Sequence, residues 1–258
     1  MVISFINEKG GVGKTSLCFN IGYYIASMGK KVLFIDFDGQ RANLSFFCGI
    51  KNREERLSMA DVLNNGVDIH EAITHVETCQ NLDIVIGNSN LAEVDKNTKL
   101  PAMIDAMKAV EAEYDYILID VNPTPSRIHI LAMAAANYII IPMLADVATL
   151  EANKGVIETF QLVKANINRG LKIMGIVFNK FNTRANLSQQ VLDITEEIAT
   201  AMDTSVFQTK VRNNKALAEN IAAHVGVTEH DPKSNGAQDI ITLTSEILIR
   251  AYPVEHVK

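Results

Sequence analysis

The stretch Val2-Ile-Ser-Phe-Ile-Asn-Glu-Lys-Gly-Gly-Val-Gly-Lys-Thr15 decides the fold of this chain. It starts with a short apolar run, continues into a glycine-rich turn and ends on Gly-Lys-Thr. A buried strand, a glycine-rich turn and a helix in this order surround a phosphate chain with backbone N–H groups and a helix N-terminus. We therefore predict a phosphate-binding loop, whose expected contacts are Gly10, Gly11, Val12, Gly13, Lys14, Thr15 and Ser16.

The loop departs from the ordinary phosphate-loop pattern at two adjacent positions. Glu8 stands where that pattern has its first glycine, and a second lysine, Lys9, follows immediately. Lys14 already covers the β- and γ-phosphates of a bound nucleotide, so Lys9 has no task within the same site. We expect Lys9 to stabilise charge on the nucleotide of a second subunit, as an arginine finger does in trans. The alternative is a solvated lysine.

Length and composition limit the classes of protein to consider. No linker, repeat or low-complexity tract divides the 258 residues, so we expect a single domain over residues 1–258. The net charge of −6 argues against nucleic acid as a partner, but the acidic residues concentrate in residues 61–207, where nineteen Asp/Glu face ten Lys/Arg. A local basic face is therefore still compatible with the composition.

Other features favour a cytoplasmic protein. The three cysteines are far apart and lack CxxC spacing, which is typical of reduced thiols. No apolar stretch approaches the roughly 20 residues that span a bilayer. The phosphate loop begins so close to Met1 that we expect no signal peptide or DNA-binding module before it.

Apolar runs rich in β-branched residues alternate with helical stretches along the whole chain. The expected strands cover residues 2–6, 31–35, 82–86, 116–119, 138–141 and 173–178. The expected helices cover residues 14–28, 57–64, 91–113, 126–136, 147–168, 186–201 and 236–251. This alternation predicts an α/β fold with a doubly wound, mostly parallel sheet and helices on both faces. Such sheets bind ligands at the carboxyl ends of their strands.

Carboxylates follow two of the predicted strands at that edge. Asp120 ends the strand that begins at Tyr116, while Asp36 and Asp38 follow the second strand. Because extended residues i and i+2 point the same way, Asp36 and Asp38 can both face the phosphates. We expect Thr15, Asp36 and Asp120 to hold Mg²⁺, which prefers oxygen ligands, and Asp38 to position the attacking water. The alternatives are a helix cap at Asp120 and an ordinary turn at the other two aspartates.

The sequence after the last predicted strand bears on the choice of base. Asn179-Lys-Phe-Asn182 approaches the guanine-reading pattern Asn-Lys-x-Asp. An aspartate in the last place would accept from both guanine donors, whereas Asn182 presents an NH₂ to one of them. We therefore favour adenine, with Asn179 near the base.

Together these motifs resemble those of the ParA/MinD family of deviant phosphate-loop ATPases. Lys9–Thr15 resembles the signature of the family, Asp36–Gln40 its Asp-x-Asp-Pro-Gln motif, and Tyr114–Asp120 its magnesium strand. Arg184–Gln190 and Asp231–Ala237 resemble stretches of the short, Soj-like ParA branch, which segregates plasmids and chromosomes.

The resemblance implies an ATP-driven switch that uses ATP and Mg²⁺. An ATP-bound homodimer would bind DNA without sequence preference, and a ParB-like centromere-binding partner would trigger hydrolysis and release. Lys9, Lys14 and Asp38 would be the catalytic residues, with Lys9 acting across the dimer. The protein would be cytoplasmic, would use no membrane, and would lie on the nucleoid when ATP-bound.

The resemblance also maps DNA contacts to Arg184, Arg212 and Lys215, where cations would displace counterions from phosphates. Read from the residues alone, these three form an ordinary solvated basic face. Several positions depart from the family pattern: Gly39 replaces a proline, Arg41 stands where glycine is frequent, and Asn122 replaces the first of two prolines after Asp120. These departures lie in segments expected to sense the γ-phosphate.

Three alternatives compete with partition. A MinD-like membrane ATPase would end in a basic amphipathic helix, but residues 247–258 contain only Arg250 and Lys258 as Lys/Arg, and Pro253 interrupts them. A metabolic enzyme on the same fold would need paired cluster cysteines or a small-molecule pocket that the sequence does not indicate. A ParA-like ATPase that positions a protein cargo on the nucleoid fits the sequence as well as partition does.

Overall fold

The computed structural model describes residues 1–39, 43–97, 100–182 and 186–252. The strands are β1 (Val2–Phe5), β2 (Val32–Phe37), β3 (Ile73–His75), β4 (Leu82–Val85), β5 (Tyr116–Val121), β6 (Tyr138–Met143) and β7 (Lys172–Phe178). The first helices are α1 (Lys14–Ser27), α2 (Leu44–Phe47), α3 (Met59–Asn65), α4 (Ile69–Ala72), α5 (Leu91–Asn97) and α6 (Leu100–Val110). They are followed by α7 (Arg127–Ala135), α8 (Val147–Asn166), α9 (Asn186–Ala201), α10 (Ala216–Ala223), α11 (Val227–His230) and α12 (Asn235–Ala251), and a 3-10 turn covers Arg53–Glu55.

Within these residues the strands form one sheet in the order β3-β4-β2-β5-β1-β6-β7. Every neighbouring pair is parallel except β3 and β4, which are antiparallel. The connection after β1 leads to the β2 side of the sheet, and the connection after β5 crosses β1 to reach β6. The carboxyl end of β1 therefore lies at a reversal of strand order, where open α/β sheets bind ligands. The predicted fold class is confirmed.

Side chains of the central strands alternate between two apolar layers. Phe34 and Leu118 pack in the layer that contains α1 and α12, whereas Ile35 and Ile119 pack in the layer with α3, α6 and α7. Since successive strand residues point to opposite faces, the residues that follow Ile35 and Ile119 fall on the α1 side of the sheet. Those residues are Asp36 and Asp120. Strand alternation alone thus directs both carboxylates toward the helix that follows the phosphate loop.

The outer edge of β7 is covered by the segment of residues 205–211. The main-chain N–H of Ile176 donates to Ser205 O at 3.2 Å, and the main-chain oxygen of Ile176 accepts from Phe207 N at 2.8 Å. Val211 N continues the pattern by donating to Phe178 O (2.9 Å). Backbone groups that an edge strand would expose are therefore paired within the chain.

The structure differs from the predicted elements at several places, and the short helices α2, α4 and α11 were not predicted. The expected helix over residues 91–113 corresponds to α5 and α6, the second of which ends three residues earlier than expected, at Val110; Pro101 lies in the first turn of α6, where a missing N–H is tolerated. The antiparallel strand β3 was not predicted, since its three residues are half-buried or exposed and show no alternation. Helix α10 was also missed. Among the described residues, no helix is long and apolar enough to cross a membrane.

Candidate active site

The predicted phosphate loop joins β1 to α1. Gly11 and Gly13 have φ angles of 76° and 94°, a region that favours glycine. A β-carbon at Gly13 would also lie 1.9 Å from the Nδ2 atom of Asn179, so no other residue fits there without a shift. The loop ends at the N-terminus of α1, whose free N–H groups and dipole attract anions. The loop therefore has the backbone geometry of an anion cradle.

Asn7 anchors the loop to the sheet. Its buried amide donates to the main-chain oxygen of Pro142 and to Asn153 Oδ1, both at 2.7 Å, and its Oδ1 accepts from Lys9 N at 2.7 Å. The sequence interpretation overlooked Asn7, although it is a polar residue at the carboxyl end of a buried strand. The same signal that identified Asp36 and Asp120 would have found it.

Lys14 lies among the predicted carboxylates. The residue is 6% exposed, and its Nζ atom donates to the main-chain oxygen of Lys9 at 3.2 Å. Burial lowers the pKa of Lys14, while the nearby charges of Asp120 and Asp38 raise it. The ammonium group thus sits where it can neutralise both carboxylates and a phosphate chain.

Asp36 and Asp120 are direct neighbours in the register of β2 and β5. Both are fully buried. Asp36 Oδ1 accepts from Asp38 N at 2.9 Å, and its Oδ2 accepts from the N and Oγ atoms of Ser45 at 2.8 and 2.5 Å. Burial raises the pKa of Asp36 to about 6, although these hydrogen bonds lower it. Asp36 is therefore a hydrogen-bonded carboxylate with limited freedom to move.

Neither carboxylate oxygen of Asp120 has a hydrogen-bond partner among the described residues. Burial and then the charge of Asp36 raise the pKa of Asp120 well above its ordinary value. Thr15 and Lys14 oppose this rise, but the Thr15 hydroxyl does not reach hydrogen-bond geometry. A buried carboxylate without donors, beside another carboxylate, is a site for a cation. The donor set of Asp120 and Thr15 fits Mg²⁺, because it consists of oxygen atoms.

A cavity of about 430 Å³ opens above the phosphate loop. The predicted residues Gly10, Gly11, Gly13, Lys14, Thr15, Ser16, Asp38, Asn179 and Arg212 line it, together with Phe47, Pro123, Lys180, Asn213, Asn214, Leu217, Ala218 and Ile221. Its size suits a nucleotide-sized ligand. One end consists of the charged loop, and the other of α10 with an apolar side formed by Leu217 and Ile221.

Asn179 and Arg212, two further predicted residues of the cavity wall, are already engaged with the protein. Asn179 donates from Nδ2 to Val12 O at 2.9 Å, and its Oδ1 accepts from Lys180 N at 2.9 Å. Arg212 forms a two-pronged pair with Asp239, with Nε–Oδ2 and Nη2–Oδ1 distances of 2.9 and 2.7 Å. Asn179 thus supports the phosphate loop from the cavity wall. Arg212 lines the cavity with its charge balanced by Asp239, and its predicted role in DNA binding stays a prediction.

Lys9 is held within its own chain. Its Nζ atom lies 2.8 and 2.9 Å from the two carboxylate oxygens of Asp146 and 3.1 Å from Thr149 Oγ1. Asp146 also caps the N-terminus of α8. Burial opposes ionisation of Asp146, but the hydrogen bonds from Lys9 and Thr149 outweigh it and lower the pKa. The sequence interpretation did not predict Asp146 as a partner of Lys9.

Of the two other predicted DNA contacts, Lys215 is not among the residues that line the cavity. Lys215 precedes α10, its side chain is 86% exposed, and it pairs with Glu219 at 2.6 Å. Arg184 lies outside the described residues.

The chain is similar to known proteins over nearly its whole length and most of theirs. Residues 1–173 match the AAA domain family. The sporulation initiation inhibitor protein Soj of Bacillus subtilis is 30% identical over 254 residues, which cover 95% of this chain and 97% of Soj. The chromosome partitioning protein ParA of Myxococcus xanthus is 32% identical over 257 residues, which cover 98% of this chain and 89% of that protein.

A solved structure has the same fold. Apo McdA of Cyanothece superposes with a TM-score of 0.85 and 20% identity, covering 97% of this chain and 98% of McdA. At that identity the likeness concerns the fold alone.

Proposed function

Because the chain belongs to the ParA/MinD family of deviant phosphate-loop ATPases, we propose that it is a ParA-type ATPase of plasmid or chromosome partition. Its ATP-bound homodimer binds DNA without sequence preference, and a ParB-like partner stimulates hydrolysis and so releases it. The protein acts in the cytoplasm and lies on the nucleoid while ATP is bound. The names of the relatives Soj and ParA support this reading.

The observation that carries the proposal is the Asp120 carboxylate beside the phosphate loop. It is fully buried, has no hydrogen-bond donor among the described residues, and lies near Lys14 and Thr15. A buried, unpaired carboxylate costs stability and persists where a ligand repays that cost. Mg²⁺ with ATP is the ligand that fits a carboxylate, a threonine hydroxyl and a lysine at the end of a phosphate loop.

Each residue of the site has a separate role in the proposed hydrolysis. Thr15 and Asp120 would hold Mg²⁺, which when bound would supply positive charge for the terminal phosphates. Asp36, the register neighbour of Asp120 and hydrogen-bonded by Asp38 N and Ser45, would belong to the same metal shell. Lys14 contacts the terminal phosphates, and Asp38, which lines the cavity, orients the attacking water.

Lys9 acts across the homodimer, on the nucleotide of the other subunit. To do so it leaves Asp146, to which it is bound within its own chain. The two side chains are 27% and 37% exposed, and partly exposed ion pairs contribute only about 1 kcal/mol or less. The triphosphate of a second subunit offers more negative charge than one carboxylate, so the exchange of partners is favourable.

DNA binding is assigned to the end of the molecule that carries Lys215. This side chain is well exposed, and its pair with Glu219 is a surface pair that a phosphate can replace. Arg212 is a weaker contributor to the proposed contact, because Asp239 balances its charge. Arg184, which lies outside the described residues, is the third proposed DNA contact.

Equilibrium binding to an arbitrary DNA duplex tests the proposal. Fluorescence anisotropy is measured with no nucleotide, with ADP and with ATP, each over a series of salt concentrations. We expect tight binding with ATP only, and a steep loss of affinity as salt rises. In Lys215→Ala, the slope of log affinity against log salt should fall by about two for a dimer, one for each lost phosphate contact.

Lys108→Ala is the matched control, since it removes an exposed lysine from α6, whose core side chains pack in the layer opposite α1 and α12. Its slope should equal that of the parent. Affinity that does not respond to ATP would overturn the proposed DNA switch. An unchanged slope in Lys215→Ala would move the DNA surface elsewhere.

A further inference from the structure

A buried asparagine joins the Asp38 segment to α2. Asn43 is fully buried. Its Nδ2 atom donates to the main-chain oxygen of Asp38. Its Oδ1 atom accepts from Phe46 N at 3.1 Å, which caps α2, and from Arg53 Nη1 at 2.7 Å. The position of Asp38 therefore depends on an amide whose acceptor oxygen is held by Arg53.

Arg53 also binds the loop after β4, and through that loop it is connected to the side chain of Asp36. The same Nη1 atom donates to Gly87 O at 3.3 Å. Gly87 N donates to Ser45 Oγ at 3.2 Å, and Ser45 Oγ donates to Asp36 Oδ2 at 2.5 Å. The hydrogen bonds thus form a closed circuit in which Arg53 links the main chain of Asp38 with the side chain of Asp36.

The 3-10 turn that carries Arg53 is itself fixed to the loop after β4. Asn88 Nδ2 donates to Arg53 O at 3.5 Å, and Ser89 Oγ donates to Glu54 Oε2 at 2.6 Å. The first two residues of the turn are therefore bound to this loop, so the guanidinium group is presented from a defined support.

The residue after Asp38 explains why this support matters. A β-carbon at Gly39 would lie 2.6 Å from the main-chain oxygen of Asn88. Glycine is therefore required by the close approach of the two loops, and it leaves the φ angle unrestricted where a proline would fix it near −65°. The stiffness that the backbone lacks at Gly39 has to come from side chains, and the Arg53–Asn43 contact supplies it.

We propose that Arg53 is a positioning residue for ATP hydrolysis, acting through Asn43 to hold Asp38 in the orientation that aligns the attacking water. The inference rests on the proposed ATPase function and goes beyond it, because Arg53 does not line the nucleotide cavity. Misplacement of a catalytic group by about 1 Å lowers a rate by roughly 100-fold. Loss of one of several restraints should therefore lower kcat by roughly 10-fold, while ATP binding, which depends on the phosphate loop, stays close to that of the parent.

Two substitutions at Arg53 and one nearby control test the proposal. Arg53→Met keeps an unbranched apolar stem but removes every donor, whereas Arg53→Lys keeps a charged donor. Arg56→Met is the control, because Arg56 follows the same turn, is exposed, and donates from Nε to the main-chain oxygen of Lys51 at 3.1 Å. For each protein, kcat, KM and the Kd for ATP are measured. Backbone hydrogen exchange over residues 36–47 is measured without nucleotide.

We expect Arg53→Met to lower kcat by roughly 10-fold with ATP affinity within about twofold of the parent, and to speed exchange at the amides of Asp38, Ser45 and Phe46. Arg53→Lys should recover most of both properties, and Arg56→Met should match the parent. Unchanged exchange in Arg53→Met overturns the positioning role whether or not the parent hydrolyses ATP. Faster exchange with unchanged kcat also overturns it.

A parent protein that does not hydrolyse ATP overturns the proposed function, and with it any role of Arg53 in hydrolysis. The exchange measurement then still reports separately whether Arg53 holds the Asp38 segment. A fall in ATP affinity that equals the fall in kcat/KM would assign Arg53 to nucleotide binding and would also overturn the proposal.

Discussion

The free energy stored in the buried carboxylate pair can be measured by substituting Asp36 with asparagine. Burial raises the pKa of Asp36 from 3.8 to about 6, against the opposing hydrogen bonds from Ser45 and Asp38. In the unfolded chain the carboxyl returns to its ordinary pKa. The folded protein therefore holds the proton more tightly than the unfolded chain does. Folding stability must fall as the pH rises from 3.8 to about 6.

The magnitude follows from the size of this difference. An increase of about two in pKa corresponds to about 3 kcal/mol of lost stability above about pH 7, and to about 1 kcal/mol at about pH 4.5. Asparagine does not titrate. We therefore expect the free energy of unfolding of Asp36→Asn, minus that of the parent, to rise by about 2 kcal/mol between about pH 4.5 and about pH 7.5. Hydrogen bonds lost by the substitution shift both values equally and cancel.

Urea denaturation of the nucleotide-free proteins, with a chelator present and at several pH values, supplies these differences. Removal of the Asp36 charge also eases ionisation of Asp120, which adds to the rise in the same direction. Asp105→Asn, at an exposed position on α6, controls for the change in net charge. A difference between Asp36→Asn and the parent that stays flat, or shrinks as the pH rises, would refute the reasoning about the carboxylate pair.

Three further outcomes are expected. Lys14→Ala should abolish ATP binding in calorimetry, because Lys14 is a buried cation of the phosphate loop that lies near both Asp120 and Asp38 and would neutralise phosphate charge there; retained binding would contradict its role. Asp146→Asn should weaken the hold on Lys9 and lower the ATP concentration needed for dimerisation by up to about fivefold in gel filtration, whereas a higher ATP requirement would contradict the exchange of partners. Arg250→Met should lower the free energy of unfolding in urea by about 3 kcal/mol without changing ATP affinity. The reason is that Arg250 donates to three main-chain oxygens and its Cζ lies 3.9 Å from the ring centroid of Phe207. Unchanged stability would rule out a stabilising role for Arg250.

The sequence predicted the structure well wherever apolar residues recur in a clear pattern or a short motif is present. Fully buried strands such as β2 and β5 are recognisable from continuous apolar runs, and alternation then places Asp36 and Asp120 side by side without further information. The glycines of the phosphate loop identify themselves because positive φ angles favour glycine.

The contacts that tune the site could not be predicted, because they come from segments without periodic patterns. Arg53 lies in a 3-10 turn of three residues, and Asn43 lies in the loop after β2. Asp146 meets Lys9 across a sequence separation of 137 residues. From sequence alone, an aspartate just before a helix predicts only an N-cap, and Asp146 does cap α8. Only the folded chain shows that the cap has a second partner.

The covered margin of β7 limits how copies of this protein can assemble. Residues 205–211 occupy the hydrogen-bonding positions that an incoming strand would need, and at the opposite margin β3 offers only three residues in antiparallel pairing. Lateral growth by strand addition, the route to open-ended fibres, is thereby blunted at both sides of the sheet. The proposed nucleotide-dependent homodimer would instead form through the loop-bearing face, which neither margin of the sheet contributes to.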